Sequence, residues 1–471
     1  MKFVTPGQCK SFAEFSDLWR ATAPGMDVDE DLRPDGPLAQ PIEVEGRTLE
    51  NRFAIHPMEG WDGTPDGRPS ELTLRRWKNF GRSGAKLIWG GEAFAVQADG
   101  RANPRQLYLD DNVDVKRSLS ELLGALREGH REMGEDPDEL FTGLQLTHSG
   151  RYARPDEPRP RIAWHDPRLA GRAGVREGLE PLTDSELESI GERYVRSATL
   201  AREAGFDFVD VKCCHGYLMH ELLGARERPG RYGGSFENRT RLLAEIIRGI
   251  RANAPGLTIG VRASVADIAP HAPDPKTGRG MPTSQSGTGF GVSPTAPTTI
   301  DLSDGLELLA WLEKHEVRLV NVTLGSPYTC PHLQRPAAYP PSDGYQPPRD
   351  PLAEVAVHLG TVRRCRQEFP HLMIVGTGYT YLQQWLPHVA QFEVGAGHVD
   401  FVGLGRMVLS YPELPLDVLR GKPLARKKIC RTFSDCTSAP RNGLVSGCYP
   451  LDRHYRERPE AQTLKSIQGK A

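Results

Sequence analysis

Eight short apolar segments recur along the chain, and amphipathic stretches separate most of them. Their length and their β-branched residues predict strands, at residues 52–56, 86–91, 141–146, 206–211, 258–262, 318–323, 372–375 and 399–404. The clearest helix precedes the fourth strand, where Thr183 and Glu186 form a capping-box pattern ahead of an apolar face. Strands that alternate with helices eight times are typical of a closed parallel barrel rather than an open sheet. The alternation therefore predicts an α/β fold, the (β/α)8 TIM barrel.

The composition excludes several classes of function. The chain has 471 residues and a formal net charge of −2, so no positive field attracts it to nucleic acid or to an anionic membrane. No apolar run approaches the roughly 18 residues of a membrane span, and the first residues lack the form of a signal peptide. Eight cysteines are too few for a disulfide scaffold of this length. We expect a cytoplasmic protein that acts on a small-molecule substrate, without nucleic-acid or membrane partners, and a homo-oligomer stays open.

The barrel pattern occupies the middle of the chain. Residues 1–40 are polar and contain prolines, so we expect an N-terminal extension, followed by the barrel at 41–421 and a cysteine-containing C-terminal extension at 422–471. Two long loops, 265–301 and 325–351, follow the fifth and sixth strands. On the carboxyl face of a barrel such loops either cover a ligand or serve as packing or interface loops, and the sequence leaves both alternatives open.

Polar and reactive side chains follow the fourth strand. Lys212, His215 and Tyr217 lie within six residues of each other. Because catalytic groups of a parallel barrel collect at the carboxyl ends of its strands, we predict that these three residues are catalytic. For Lys212 the alternative is a structural ion pair with a nearby carboxylate.

The same stretch carries a resemblance to a known family. The sequence HGYL at 215–218, followed by RYGGSFENRTR at 231–241, resembles the signature of the old yellow enzyme family of FMN oxidoreductases. The resemblance extends over roughly residues 38–420. It implies non-covalently bound FMN that NADH or NADPH reduces. It also implies that the reduced flavin then reduces an activated C=C bond, such as that of an enone or enoate.

The resemblance also implies roles for individual residues. Tyr217 would donate a proton to the substrate carbon, and His215 and Lys212 would bind the substrate oxygen, although lysine departs from the residue usual in the family. The resemblance also predicts flavin-binding residues at, or just after, the carboxyl ends of six of the strands. They are Pro57, Met58, Gly91, Ala93, Gln145, Arg262, Gly376, Gly378, Gly405 and Arg406.

The chemistry of these residue types suits a flavin. A carboxamide such as Gln145 offers both a donor and an acceptor to the pyrimidine edge. A guanidinium such as Arg262 offsets negative charge on the reduced ring. Two glycine turns on the last two strands can direct backbone N–H groups at a phosphate.

Three late cysteines have a different relation to the family. Cys430, Cys436 and Cys448 follow the barrel, where larger relatives such as 2,4-dienoyl-CoA reductase hold a four-iron cluster with four cysteines. Since one ligand is missing and Cys430 is out of register, we predict no metal and expect cysteines that pack.

Several alternatives remain at this point. The same fold serves amine oxidation in relatives of trimethylamine dehydrogenase, in which electrons move from substrate to flavin. A lysine at a strand end could also form a Schiff base, which would make Lys212 the nucleophile of an aldolase. A non-catalytic flavin-binding module is a further possibility. The sequence specifies neither the substrate nor the choice between NADH and NADPH.

Overall fold

The predicted barrel is present in this computed structural model, which describes residues 3–170 and 178–469. Each strand pairs in parallel with the next, and the eighth pairs with the first, so that the sheet closes. The strands are β1 Phe53–Ile55, β2 Leu87–Ile88, β3 Phe141–Thr147, β4 Phe208–Cys213, β5 Thr258–Ala266, β6 Leu319–Leu324, β7 Met373–Gly376 and β8 Phe401–Leu404.

Helices surround the sheet. The longer ones are α1 Phe12–Thr22, α2 Glu71–Gly81, α3 Val115–Glu132, α4 Asp184–Ala204, α5 Phe236–Asn253, α6 Ser303–Lys314, α7 Pro351–Glu368 and α8 Leu386–Gly395. Short helices lie at Leu218–Leu223, Pro331–Gln334, Arg406–Ser410, Leu414–Leu419, Asp435–Arg441, Arg453–Arg456 and Pro459–Ile467. Among the described residues, no helix combines the length and apolarity needed to cross a membrane.

The second strand differs from its predicted span of 86–91. It is shorter at both ends: before it, the Lys86 ammonium pairs with Glu135 and Glu139 at 2.8 and 2.6 Å, and after it, the chain turns at Gly91, which has a φ of 39°. After β2 the chain leaves the ladder and returns as a short strand, Ala93–Ala95, which pairs in parallel with β3. The barrel wall is therefore completed at this point by two short pieces of chain.

The strand register places the polar residues opposite one another in a layer two residues deep, near the carboxyl end of the barrel. Gln145 of β3 lies opposite Asp210 of β4, and Lys212 lies opposite Arg262 of β5. Since alternate residues of a strand share a face, Asp210 and Lys212 point the same way. Below this layer the interior is filled by apolar side chains, which include Trp89, Phe141, Phe208, Leu319 and Phe401. A hairpin of Ile42–Val44 and Arg47–Leu49 packs against this cluster and covers the amino end of the barrel.

The two extensions pack on opposite parts of the barrel. Helix α1 lies against the outside, where the Phe15 ring stacks on Trp385 with a centroid separation of 5.1 Å. Residues 422–471, called here the C-terminal segment, have a small apolar cluster of their own around Tyr449 and Tyr455. The boundaries at 40/41 and 421/422 stay a prediction, and residues 1–2 and 470–471 of these extensions lie outside the described part of the chain.

Helices α2 and α3 approach each other closely at glycines. A Cβ atom added at Gly129 would lie 1.9 Å from the backbone oxygen of Lys78, and one at Gly81 would lie 2.0 Å from that of Leu126. Backbone atoms cannot rotate away as a flexible side chain can, so a side chain here must separate the helices.

We therefore expect Gly129→Ala to lower the free energy of unfolding by about 1–3 kcal/mol. Gly124→Ala on the same helix is the matched control, because an added Cβ meets no atom within 4 Å. Removing that exposed mid-helix glycine should be neutral or should stabilise by roughly 0.5–1 kcal/mol. Urea unfolding followed by circular dichroism measures both variants, and equal midpoints would contradict the close helix approach.

Candidate active site

A cavity of about 990 Å³ opens at the carboxyl end of the barrel. The strand ends form its floor, and its walls come from the loops after β3, β5 and β6 and from the C-terminal segment. Both long loops border this cavity, and that they cover a ligand there stays a prediction. The predicted site residues that line it are Pro57, Met58, Gln145, Lys212, His215, Tyr217, Arg262, Gly378, Gly405 and Arg406.

Three predicted flavin-binding residues lie behind this surface. The carbonyl oxygen of Gly91 accepts a hydrogen bond of 2.7 Å from Arg76, and that of Ala93 accepts one of 2.7 Å from Gln106. Gly376 is packed so that an added Cβ would lie 3.2 Å from Val399. These backbone groups are held by protein contacts, and a direct contact between them and a flavin stays a prediction.

One buried arginine fixes the turns after β1 and β2. The Arg76 guanidinium pairs with Asp62 at 2.8 Å and with Glu92 at 2.6 Å, and it also donates to the carbonyl oxygen of Met58 at 3.3 Å. The pKa of Arg76 is raised because its attraction to the two carboxylates outweighs the effect of burial. Glu92, which follows the second strand, is therefore a structural residue.

Asp210 organises the part of the cavity where Gln145 and Arg262 lie. Its carboxylate accepts hydrogen bonds from Trp89 Nε1 at 2.7 Å, from Gln145 Nε2 at 2.5 Å and from the backbone N–H of Arg262 at 2.7 Å. Burial raises the pKa of Asp210 to about 6, and these donors act in the opposite direction. The carboxamide of Gln145 is thereby held with one orientation toward the cavity.

The Arg262 guanidinium has no carboxylate partner among the described residues. It is 7% exposed, its Nε atom has no hydrogen-bond partner, and burial lowers its pKa. A buried cation without a direct ion pair is costly, although the nearby Asp210 carboxylate attracts this one. The position of this group fits the requirement for a ligand that becomes negatively charged, such as the pyrimidine end of a reduced flavin.

The opposite end of the cavity suits a phosphate. Gly378 has a φ of 99°, which favours glycine, and a Cβ added at Gly405 would meet no protein atom within 4 Å. Arg406 donates from Nη2 to the carbonyl oxygen of Pro336 at 2.9 Å, while its buried Nη1 has no partner. These groups provide an open turn and a free guanidinium donor, which fit the phosphate of FMN.

Tyr217 and Lys212 meet at a carboxylate that the sequence analysis missed. The Tyr217 hydroxyl donates to Glu59 Oε2 at 2.8 Å and lies 3.0 Å from the Tyr328 hydroxyl. Lys212 Nζ lies 3.8 Å from the centroid of the Tyr217 ring and 4.0 Å from Glu59 Oε2. The signal for Glu59 is its place directly after Pro57 and Met58, at the carboxyl end of the first strand.

Burial moves the pKa values of this group in opposite directions. The pKa of Tyr217 is raised well above its usual value by burial and by the neighbouring Glu59 and Tyr328. The pKa of Lys212 is lowered by burial, which its attraction to Glu59 opposes. Tyr217 is therefore a protonated phenol at neutral pH, as a proton donor must be.

His215 is held rigidly in a neutral form. Its φ is 65°, an uncommon value for a non-glycine residue, and both backbone polar groups are bonded. Its N–H donates to Ser264 Oγ at 3.0 Å, and its carbonyl oxygen accepts from Ser326 Oγ at 2.7 Å. Burial and the charges of Arg262 and Lys212 lower its pKa well below the usual value. The imidazole Nε2 lies 3.2 Å from Gln334 Nε2.

The late cysteines also lie beside the cavity. Cys436 and Cys448 line it, and Cys430 is buried nearby with its pKa raised to about 11 by burial. Within the described residues, no group of three or more His, Cys, Asp or Glu side chains is arranged to hold a metal ion. The absence of a metal here stays a prediction.

Sequence comparison identifies the family. The profile of the NADH:flavin oxidoreductase / NADH oxidase family matches residues 37–274. The chain belongs to this family. FMN is accordingly its cofactor, and the polar groups that line the cavity are compatible with it.

Curated relatives share part of their length with this flavin oxidoreductase. An NADH:flavin oxidoreductase of Gibberella zeae is 30% identical over 48% of the chain and 56% of the relative. An NADPH dehydrogenase of Geobacillus sp. is 31% identical over 50% of the chain and 64% of the relative. The chain thus spans about six tenths of the length of each of these relatives.

Solved structures share the fold. A 2-naphthoyl-CoA reductase complex has a TM-score of 0.67 at 17% identity and covers 90% of this chain and 58% of that one. Histamine dehydrogenase from Rhizobium sp. 4-9 gives 0.61 at 18% identity, with 89% and 52% covered. The old yellow enzyme homologue from Zymomonas mobilis gives 0.57 at 19% identity, with 83% and 94% covered. The predicted barrel and the predicted membership of the old yellow enzyme family are confirmed.

We expect Arg406→Met to weaken FMN binding by about 10- to 100-fold, because one charge-assisted hydrogen bond to the phosphate is lost. Affinity for riboflavin, which lacks the phosphate, should stay unchanged. Flavin fluorescence titration of the apoprotein measures both constants. The control is Arg117→Met, since Arg117 is 78% exposed on α3. An equal loss of affinity for both flavins would contradict a phosphate contact.

Proposed function

We propose that this protein uses electrons from NAD(P)H to reduce an activated C=C bond that is conjugated to a carbonyl or carboxyl group. The observation that carries the proposal is the convergence of Lys212, His215 and Tyr217 on the cavity that Arg262 also lines. An acid, two groups that can bind an oxygen atom and a counter-charge for the flavin are thus available in one place. We thus propose both the reaction and the class of substrate.

Gln145, Arg262 and Arg406 would hold the flavin, with Gly378 and Gly405 at its phosphate. Bound there, FMN would supply the hydride that adds to one carbon of the alkene. The part of the protein is to orient the two molecules and to keep water from the reacting atoms, since closely placed reactants need little further ordering. Burial of His215 and Lys212, which are 9% and 5% exposed, fits a site with restricted water.

His215 and Lys212 would bind the oxygen of the substrate. The neutral imidazole can donate one N–H, with Gln334 at its other nitrogen, because the two ring nitrogens have different roles. The Lys212 ammonium carries a positive charge that offsets negative charge developing on that oxygen. In a water-poor cavity such a fixed charge acts strongly.

Tyr217 would give its proton to the second carbon of the alkene. The Tyr328 hydroxyl and the Lys212 ammonium, both in contact with Tyr217, would stabilise the tyrosinate that remains. Glu59 opposes ionisation of the phenol and holds its hydroxyl in place at 2.8 Å. The three contacts therefore fit a phenol that is ionised only when a strongly basic carbon is present to take the proton.

Amine oxidation is the second candidate, and Glu59 favours it. A carboxylate at 16% side-chain exposure among aromatic rings could pair with a substrate ammonium group. Histamine dehydrogenase is one of the structures that share the fold. The Lys212 ammonium, 4.0 Å from Glu59, opposes this candidate because it would repel a cationic substrate. The family assignment gives no support to the Schiff-base alternative.

The first test concerns the proton donor. We expect Tyr217→Phe to slow reoxidation of the reduced enzyme by an enone by about 100- to 10,000-fold, the usual contribution of a positioned general acid. Reduction by NAD(P)H should be nearly unchanged, since that step needs no proton from Tyr217. Rapid mixing separates the two half-reactions. The control is Tyr232→Phe, because the Tyr232 hydroxyl bonds Glu245 outside the cavity. Slowing of both half-reactions to the same extent would count against the role.

The second test separates the candidates through Lys212→Met, which removes the charge and keeps the length. Loss of one fixed stabilising group should raise the barrier of enone reduction by about 2.7–4 kcal/mol. An amine substrate should gain rather than lose, because the repulsion disappears. The same rapid-mixing assay, with a panel of enones, enoates and amines, measures both. Enone reduction that is unchanged per bound flavin, together with weaker FMN binding or a less stable fold, would show that Lys212 is a structural ion-pair partner.

A further inference from the structure

Three arginines with an unsatisfied buried nitrogen line the cavity. They are Arg262 at Nε, Arg335 at Nη2 and Arg406 at Nη1, and none of these atoms has a hydrogen-bond partner in the described part of the protein. Four further arginines at the cavity are bound by carboxylates, and they are Arg75, Arg76, Arg151 and Arg168. The three unsatisfied nitrogens are therefore available to an anion that the protein itself does not supply.

A single flavin accounts for two of the three. Arg262 lies at the pyrimidine end, and Arg406 lies beside the glycine turns at the phosphate end. Arg335 follows the short helix Pro331–Gln334 in the loop after β6 and stays unmatched. Burial and the repulsion from Arg441 and Arg406 lower the pKa of Arg335 to about 9. A bound anion would remove this destabilisation.

The C-terminal segment holds Arg335 in place. Arg335 Nη1 donates to Thr437 Oγ1, and Arg441 from the same segment pairs with Asp343 and donates to the carbonyl oxygen of Pro327 at 3.3 Å. Asp343 balances one of the two guanidinium charges, and its side chain is 57% exposed at the rim. Arg335 and Arg441 therefore leave one net positive charge in the cavity.

This charge lies next to the residues that would contact the substrate. Pro327, whose carbonyl oxygen Arg441 contacts, precedes Tyr328, and the Tyr328 hydroxyl lies 3.0 Å from that of Tyr217. Gln334 precedes Arg335, and its Nε2 lies 3.2 Å from His215 Nε2. The loop after β6 thus connects the guanidinium pair to both the proposed acid and the proposed oxygen-binding group.

We propose that Arg335 and Arg441 form an oxoanion site for the substrate, which takes a carboxylate or a phosphate group remote from the reacting double bond. A planar guanidinium presents parallel N–H donors that match the oxygens of such groups. The site is additional to the flavin phosphate site at Arg406. It requires a substrate that carries a negative charge as well as the bond to be reduced, and so deepens the proposed function.

The first experiment does not depend on that function. Calorimetric titration of the FMN-loaded enzyme with inorganic phosphate should show one site, and Arg335→Met should weaken it by about 10- to 100-fold. Arg335→Lys should restore part of the affinity, because it keeps the charge without the fork. The control is Arg364→Met, which removes an equal charge from an exposed pair on α7. Unchanged phosphate binding in Arg335→Met overturns the proposal.

The second experiment assigns the anion to its source. Affinity of the apoprotein for FMN and for riboflavin should be the same in Arg335→Met and in the unaltered protein. A selective loss of FMN affinity, without loss of phosphate binding to the loaded enzyme, overturns the proposal, since Arg335 would then hold the flavin phosphate. Thermal unfolding of each variant shows whether the protein is still folded.

The third experiment uses cyclohexenone and a carboxylate-substituted cyclohexenone as paired substrates. Arg335→Met should raise KM for the carboxylate by about 10- to 100-fold and leave that of the neutral enone unchanged. Equal effects on both substrates overturn a substrate site. If neither enone is reduced by the unaltered enzyme, the proposed reaction fails, while the phosphate titration still tests the oxoanion site.

Discussion

The carboxylate of Asp210 is the group on which the geometry of the site depends. It connects three strands, since Trp89, Gln145 and the backbone of Arg262 all donate to it. A buried carboxylate is costly unless it is well bonded, so these donors and Asp210 need each other. The donors that offset the cost of burying this carboxylate include Gln145, which lines the cavity, and Trp89, which belongs to the apolar filling of the barrel. A change in the lower packing around Trp89 is therefore transmitted to Gln145.

Charge is distributed unevenly around the cavity. The turns after β1 and β2 are held by Arg76 with two carboxylates, and this pairing leaves no excess positive charge in that wall. Arg262, Arg335 and Arg406 have no such partners in the described structure, so the positive field that they create is available to ligands. An arginine at this cavity is thus structural where a carboxylate pairs with it, and it is available to bind a ligand where none does.

The sequence predicts the barrel and much of the site because both depend on short-range patterns. The strands, His215 and Tyr217 follow from apolar periodicity and from the position of polar residues at strand ends, and Arg262 follows from the family resemblance. Gln145 follows from the family resemblance, but its partner Asp210 depends on the register of β3 and β4. The ion pairs of Lys86, at the start of β2, join it to carboxylates distant along the chain, which no local pattern encodes.

The rest of the site depends on segments that meet only in the folded protein. Glu59 is 158 residues from Tyr217 along the chain, and Arg335 is 102 residues from Thr437. From the sequence, Lys212 therefore has three interpretations, as a group that binds the substrate oxygen, as an ion-pair partner and as a Schiff-base nucleophile. The structure places it beside Glu59 and the ring of Tyr217. Contacts between loops of this kind follow no sequence period, so the spacing of residues does not predict them.

The hairpin that covers the amino end of the barrel limits how reactants can reach the flavin. Val44 and Leu49 seal that end against Phe141 and Phe208, so the described structure presents its cavity toward the opposite face. In the proposed reaction, the nicotinamide and the substrate would then enter through the same opening and bind at the same face of the flavin ring. The nicotinamide would have to dissociate before the substrate could bind, and the substrate before the nicotinamide. An excess of one would therefore inhibit binding of the other.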